Sequence, residues 1–308
     1  MRAWLGVAVG LAAALAASAA AADKIRVGCT PTNDCASAMV AVDEGIFKKH
    51  GLDVEMTLIA LNSTIPAAIL SDSIQIGGPT ATVFLQAVDG GLDLVAVAGA
   101  STMTRASSDA VGAFVRNGVE ISQPKDFAGK KVGAPGLGAF LHVLFRKWLI
   151  DKGVDPKSVN FVEVTFPTMN DVLKSGTVDA VLTAEPFIAR MTAAGTGTVA
   201  ARYATDLART EPIIFYAASR DWAENNPDVV KRFREAIAEA ATIVNGDRDK
   251  ASASIARFTR QPLDLVKMVP PNRSEPALTG GQLAWWVEVM KQQNMLQTDI
   301  DLDRIVLK

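Results

Sequence analysis

One order of apolar strands and helices is written twice along the chain. On the first pass, the strand Ile25 to Thr30 and the polar turn Pro31 to Asp34 lead into an apolar-periodic helix, Ala36 to Lys49, stopped by Gly51. A strand Val54 to Ile59, a short helix near Ile65 to Leu70 and a strand Ile74 to Gly77 follow. A helix Ala81 to Val88, opened by Pro79-Thr80 and closed by Gly90-Gly91, then precedes a strand Leu94 to Ala98. On the second pass, Lys131 to Ala134 reads as strand, Pro135 to Gly138 as turn and Ala139 to Asp151 as helix ending at Gly153. Phe161 to Thr165, Ala180 to Thr183 and Val199 to Tyr203 read as strands, separated by helices at Met169 to Leu173 and Pro186 to Ala193. Gly51 and Gly153 stand 102 residues apart, and Ser71 and Ser175 stand 104 apart. A unit of that length is a lobe with its own sheet rather than one repeat of a solenoid.

Strands that are apolar without strict alternation, each followed by a helix, predict parallel sheets covered on both faces. The expected fold class is therefore α/β, with two doubly wound lobes. The β-prone stretches 110–117 and 212–219 are expected to cross between them and to act as hinges, leaving 23–109 plus 220–308 as the first lobe and 118–211 as the second. From Arg220 the chain reads as helical, with Asp228 to Asn245 and Gln282 to Met295 amphipathic, and this tail is expected to pack back on the first lobe. In doubly wound sheets, ligands bind beyond the carboxyl ends of the strands, so two such lobes would place two crevices face to face.

Charge is nearly balanced, 31 basic against 33 acidic side chains, with 49% apolar residues and no charged block, which excludes bulk disorder and a polyelectrolyte partner such as nucleic acid. The apolar excess is concentrated at the start. Arg2, the uncharged run Trp4 to Ala22 and the small residues Ala20-Ala21-Ala22 before Asp23 predict a cleaved secretory signal over 1–22, and the mature chain should be soluble and extracytoplasmic. The two cysteines, Cys29 and Cys35, are six positions apart, and an oxidising compartment predicts a small-loop disulfide, with two free thiols as the alternative.

Several segments carry a family resemblance. Gly45-Ile46-Phe47-Lys48-Lys49-His50-Gly51-Leu52-Asp53-Val54, the run Ala67 to Gly78, Asp126-Phe127-Ala128-Gly129-Lys130-Lys131-Val132-Gly133 and Leu173-Lys174-Ser175-Gly176-Thr177-Val178-Asp179-Ala180 with Glu185-Pro186-Phe187 resemble the substrate-binding proteins of ABC importers. The type is that of nitrate, sulfonate and taurine binding, with relatives that bind a thiamine pyrimidine precursor. Each motif alone is weak, and their order and spacing make the likeness. The resemblance implies a periplasmic binding protein fold of type II-like organisation, a monomer without cofactor that closes on a small molecule and delivers it to ABC permease subunits.

Candidate ligand groups sit in the turns after strands. From the first lobe these are Thr32, Asn33, Asn62, Gly78, Thr80, Ser101 and Thr102, all short hydrogen-bonding positions, although Asn33 and Asn62 serve equally well as helix caps. From the second lobe they are Gly138, Ala139 and Phe140, then Thr168, Asn170 and Glu185. The helix starts at Thr80 and Ala139 present N–H groups with partial positive charge. Arg105 is a candidate clamp for a carboxylate or sulfonate, or else a solvated loop arginine, and Phe215 is a ring that stacks on a flat ligand or fills the core. Together they predict a small organic anion, sulfonate or carboxylate, with a neutral pyrimidine-type ligand as the alternative. An enzyme of the same fold is the third reading. It is weakened because His50 and His142 have no nucleophile or carboxylate beside them in sequence, and no dinucleotide, metal or G-x-S-x-G pattern occurs.

Overall fold

The computed structural model describes residues 22–207, 209–269 and 271–308. Apart from Ala22, the expected signal lies outside the described residues. No described helix is long and apolar enough to cross a membrane.

Among the described residues, eleven strands form two sheets. In chain order they are β1 (Asp23–Cys29), β2 (Leu52–Leu58), β3 (Ile76–Gly77), β4 (Leu94–Met103), β5 (Val111–Arg116), β6 (Lys131–Ala134), β7 (Asn160–Glu163), β8 (Ala180–Ala184), β9 (Gly197–Ala201), β10 (Glu211–Ser219) and β11 (Arg273–Ser274). The first sheet has the order β11-β4-β10-β3-β1-β2, and the second β7-β6-β8-β5-β9. Five positions repeat, β2-β1-β3 corresponding to β7-β6-β8 and β4 to β9, while β11 adds an edge strand to the first sheet alone.

The remaining position in each sheet is filled by a strand exchanged between lobes. β5, arriving from the first lobe, pairs antiparallel with β8 and β9, while β10, returning from the second, pairs antiparallel with β3 and β4. The sheets are parallel as expected apart from this exchanged strand, which runs antiparallel between parallel neighbours in each, and from β11, antiparallel at the edge of the first. One part of the sequence reading is corrected here, the placing of the crossings at 110–117 and 212–219. Nearly all residues of β5 and β10 are buried, as in a strand covered on both faces, and the connecting segments are the short stretches 104–110 and 202–210. The β-prone residues Ile213 to Tyr216 were a sheet-interior signal.

The helix Pro227–Gly246 starts at a proline, whose missing N–H costs nothing in the first turn, and buries Val229, Val230, Phe233, Ile237 and Val244 on one stripe. Phe233 stacks on Phe47 at 5.5 Å and meets the edge of Tyr216 at 5.2 Å, so the tail closes the first lobe's core. The second core is built on Phe145, which contacts Phe127, Trp148 and Tyr203 at 4.9–5.4 Å. The tail also reaches the second lobe, which the sequence reading did not anticipate. Trp286, on the helix Ala284–Gln292, is fully buried, donates Nε1–H to the Pro212 carbonyl at 2.8 Å and packs on Phe140 at 5.6 Å. Gln293 donates to the Val143 carbonyl at 3.0 Å.

Candidate functional site

A cavity of about 60 Å³ lies between the sheets, several times the roughly 10–15 Å³ that one water needs. Its first-lobe wall is the turn after β1 (Thr30, Thr32, Asn33, Asp34) with Asn62 and Thr80. Its second-lobe wall is Pro135, Ala139, Phe140, Leu141, Phe166, Ala184 and Glu185. The end of β4 contributes Met103, the first connecting segment Ser107 and Ala110, the start of β5 Val111, β10 Ile213 and Ile214, and the tail Asn272.

The turn after β1 is held at both ends. A Cys29–Cys35 disulfide bridges it, and Gly78 lies so close that a Cβ there would stand 2.7 Å from Cys35 Sγ. Gly78 therefore makes room for the bridge and does not line the cavity. Within the turn, Asp34 is the hub. Its Oδ2 accepts from Thr32 Oγ1 at 2.7 Å, and its Oδ1 accepts from Ser101 Oγ at 3.0 Å and from Asn272 Nδ2 at 2.8 Å. Asn62, buried, uses Oδ1 to accept Thr80 N–H at 2.8 Å and Nδ2 to donate to the Gly78 carbonyl at 3.3 Å, locking the loop to the start of the helix Ala81–Asp89. Thr80 caps that helix by accepting Val83 N–H.

On the opposite side, the helix Phe140–Asp151 begins at Ala139. Gly138, with φ +80°, does not face the cavity with its N–H, which donates instead to His142 Nδ1 at 2.9 Å. That bond makes Nδ1 the acceptor and leaves the proton on Nε2. Burial, with Arg146 nearby adding repulsion, pushes the His142 imidazole down to about 3. Phe166 stacks on Phe187 at 5.0 Å, and Phe140 is backed by Trp286, so both rings are fixed before any ligand arrives. Glu185 is tethered by Ala189 N–H at 2.9 Å and lies 4.0 Å from Arg202.

The lobes touch at the cleft mouth. Ser63 Oγ donates to Glu163 Oε1 at 2.7 Å, Leu137 N–H donates to the same oxygen at 2.9 Å, and Asn62 N–H reaches the Pro135 carbonyl at 3.3 Å. The arrangement is a closed one.

Of the residues expected at the site, the cavity brings together Thr32, Asn33, Asn62, Thr80, Ala139, Phe140 and Glu185. Ser101 acts behind them through Asp34. Thr102 faces a surface groove with Arg209, Arg273 and Trp285. Arg105 is exposed, because β4 runs five residues past its expected end and the following turn is closed by Thr104, Ser107 and Ser108 hydrogen bonds, with the guanidinium left outside. Thr168 is exposed and bonds to Thr165, while Asn170 is engaged by Thr196 at 2.6 Å. Phe215 is core, edge-on to Phe84 at 4.8 Å. The sequence reading missed Asp34, which looked like the end of an ordinary turn. It also missed Asn272, whose only signal was a proline pair interrupting an otherwise helical tail.

Comparison with known proteins agrees with this geometry. The nitrate/nitrite binding protein NrtA of Synechococcus elongatus is 23% identical over 242 residues, covering 70% of this chain and 54% of that protein. The chain thus spans about half the length of this curated relative. The periplasmic aliphatic sulphonate binding protein SsuA of Escherichia coli superposes with a TM-score of 0.70 at 19% identity, over 92% of this chain and 97% of that one, which establishes the fold. The desulfurization enzyme DSZB shares it as well, with a TM-score of 0.66 at 14% identity over 92% and 96% of the two chains. A two-lobed α/β chain with a cavity between its lobes, matched over residues 18–259 by the model of the NMT1-like family, belongs to that family and has the fold of periplasmic binding proteins of the nitrate/sulfonate type.

Proposed function

We propose that the protein is the solute receptor of an ABC importer, capturing a small organic molecule between its lobes in the periplasm and delivering it, as a monomer, to the permease. The observation that carries this reading is that the cavity is walled by both lobes, which touch beside it, so that a ligand held there contacts both lobes and favours their closure. A binding role without catalysis is supported by His142, the one histidine near the site. It is neutral, buried and engaged at Nδ1 by Gly138 N–H, with no hydrogen-bond partner at Nε2 among the described residues.

Of the two ligand types expected from sequence, the sulfonate or carboxylate loses its clamp, because Arg105 lies outside the cavity and no lysine or arginine lines it among the described residues. A neutral pyrimidine-type ligand keeps its supports: aromatic and aliphatic faces at Phe140, Phe166 and Ile214, with acceptors and donors along the first-lobe wall. Mass spectrometry of protein purified without denaturation from the periplasm, followed by calorimetry with the molecule identified, tests the reading. A stoichiometric, reversibly bound solute whose binding compacts the molecule in small-angle scattering supports it. Turnover of the bound molecule, or no ligand that alters the scattering, would refute it.

A further inference from the structure

We propose that Asp34, aimed by Asn272 from the tail, is the specificity-determining group of the cavity and selects ligands that present an N–H donor, neutral or cationic, against donor-free anions. This deepens the receptor reading and rests on it.

The cavity's described lining contains two ionisable groups, Asp34 and Glu185, and both are acids. They are not equivalent. Glu185 has a cation nearby in Arg202 and spends one oxygen on a helix N–H. Asp34 forms no ion pair among the described residues and is met by three neutral donors, those of Thr32, Ser101 and Asn272. Two of these donors converge on Oδ1, leaving Oδ2 with Thr32 alone and so with room for another donor. A ligand N–H is a donor the pocket lacks. An anion without N–H would instead set a second negative charge against the half-buried Asp34, a like-charge repulsion that disfavours it. The helix starts at Thr80 and Ala139 offset only part of that, each carrying roughly half a unit of positive charge. They favour an acceptor edge on the same ligand, so the matching chemistry is donor on one side and acceptor on the other.

Asn272 supplies the orientation. It arrives just before β11 and donates Nδ2 both to Asp34 at 2.8 Å and to Asn33 Oδ1 at 3.2 Å, fixing the carboxylate's plane across the cavity. Its role is positioning, and the segment that brings it belongs to the tail from Arg220, which has no counterpart in the repeat.

The test uses three ring compounds of similar size as calorimetric probes: 4-aminopyrimidine, benzamidine and benzenesulfonate. Wild-type protein should bind both N–H compounds and discriminate against benzenesulfonate by at least about tenfold, as expected for a hydrogen bond to a charged acceptor. Asp34→Asn, verified as folded by its melting temperature, should reduce that preference by about 10- to 100-fold. Asn272→Ala should lower the preference by a smaller factor at unchanged melting temperature, an effect on selectivity that mere scaffolding would not produce. Benzenesulfonate binding as tightly as the N–H probes, no binding of either N–H probe at millimolar concentration, or an unchanged order in Asp34→Asn would each overturn the proposal. Tight benzenesulfonate binding with lobe closure would leave the receptor reading intact, so the two failures are distinguishable.

Discussion

The two walls of the cavity come from lobes of the same topology and are built from opposite chemistry. The first-lobe wall is a hydrogen-bonded lattice in which Thr32, Asp34, Asn62 and Thr80 are already joined to one another or to their own backbone. The second-lobe wall is proline, alanine, leucine and two phenylalanines, with Glu185 alone carrying charge. A prearranged polar wall fixes the orientation of a ligand at low ordering cost, whereas an apolar wall adds affinity by excluding water when it closes down. Orientation and closure are thus assigned to different lobes.

The strongest way to break this division is to soften the apolar wall from behind. Trp286→Ala removes a fully buried indole that backs Phe140, together with its bond to Pro212, and should cost about 3–5 kcal/mol in urea unfolding. The polar wall is untouched, so residual ligand binding should keep its selectivity and lose affinity. A loss below about 1 kcal/mol would mean the tail does not support the second-lobe wall.

Acid should act on the same wall. His142, held at about 3 when folded against an ordinary 6.5, stays neutral while the unfolded chain takes up a proton. Stability is therefore fully present above pH 6.5 and falls as the pH drops towards 3, by about 2 kcal/mol at pH 5 from this group alone. His142→Asn, which keeps an acceptor for Gly138 N–H, should flatten that limb of the stability–pH curve. An unchanged slope would show that other groups govern the acid response.

A smaller effect is expected at the cleft mouth. Ser63→Ala deletes an exposed hydrogen bond between lobes, worth about 1 kcal/mol or less, and should raise the radius of gyration of the ligand-free protein in scattering while leaving its melting temperature almost unchanged. No change in scattering would indicate that the contacts of Trp286 and Gln293 dominate closure. The smallest effect sharpens the comparison by its absence: Arg105→Ala should leave ligand affinity unchanged within calorimetric error, since the side chain lies on neither wall. A tenfold loss would bring it back to the site.

The repeat was legible because buried parallel strands and helix-closing glycines such as Gly51 and Gly153 are local signals. The exchange of β5 and β10 was not. An apolar run such as Ile213 to Tyr216 reads alike as a bridge or as a sheet interior, and only its partners decide between them. Thr32, Asn62 and Thr80 were found by the rule that crevices lie beyond strand ends. Arg105 misled because its position depended on where β4 stopped, and element ends are the least determined part of a sequence reading. Asn272 stands 238 residues from Asp34, and a single side chain crossing that separation leaves no periodic trace.

The strand exchange also sets an order of assembly. β5 to β9 are contiguous in the chain, so the second sheet can pair completely as soon as Ala201 exists. The first sheet cannot. Without β10, which lies between β3 and β4, it is two separate pieces, β1-β2-β3 on one side and β4 on the other. The Ser101–Asp34 bond spans that seam. Closing it requires a contact between residues more than a hundred positions apart, a slow step in a chain of this topology. The second sheet's strands can therefore all pair before β10 is made, whereas the seam beneath the first-lobe wall closes only with β10, and the Trp286 backing of Phe140 comes from the tail beyond it.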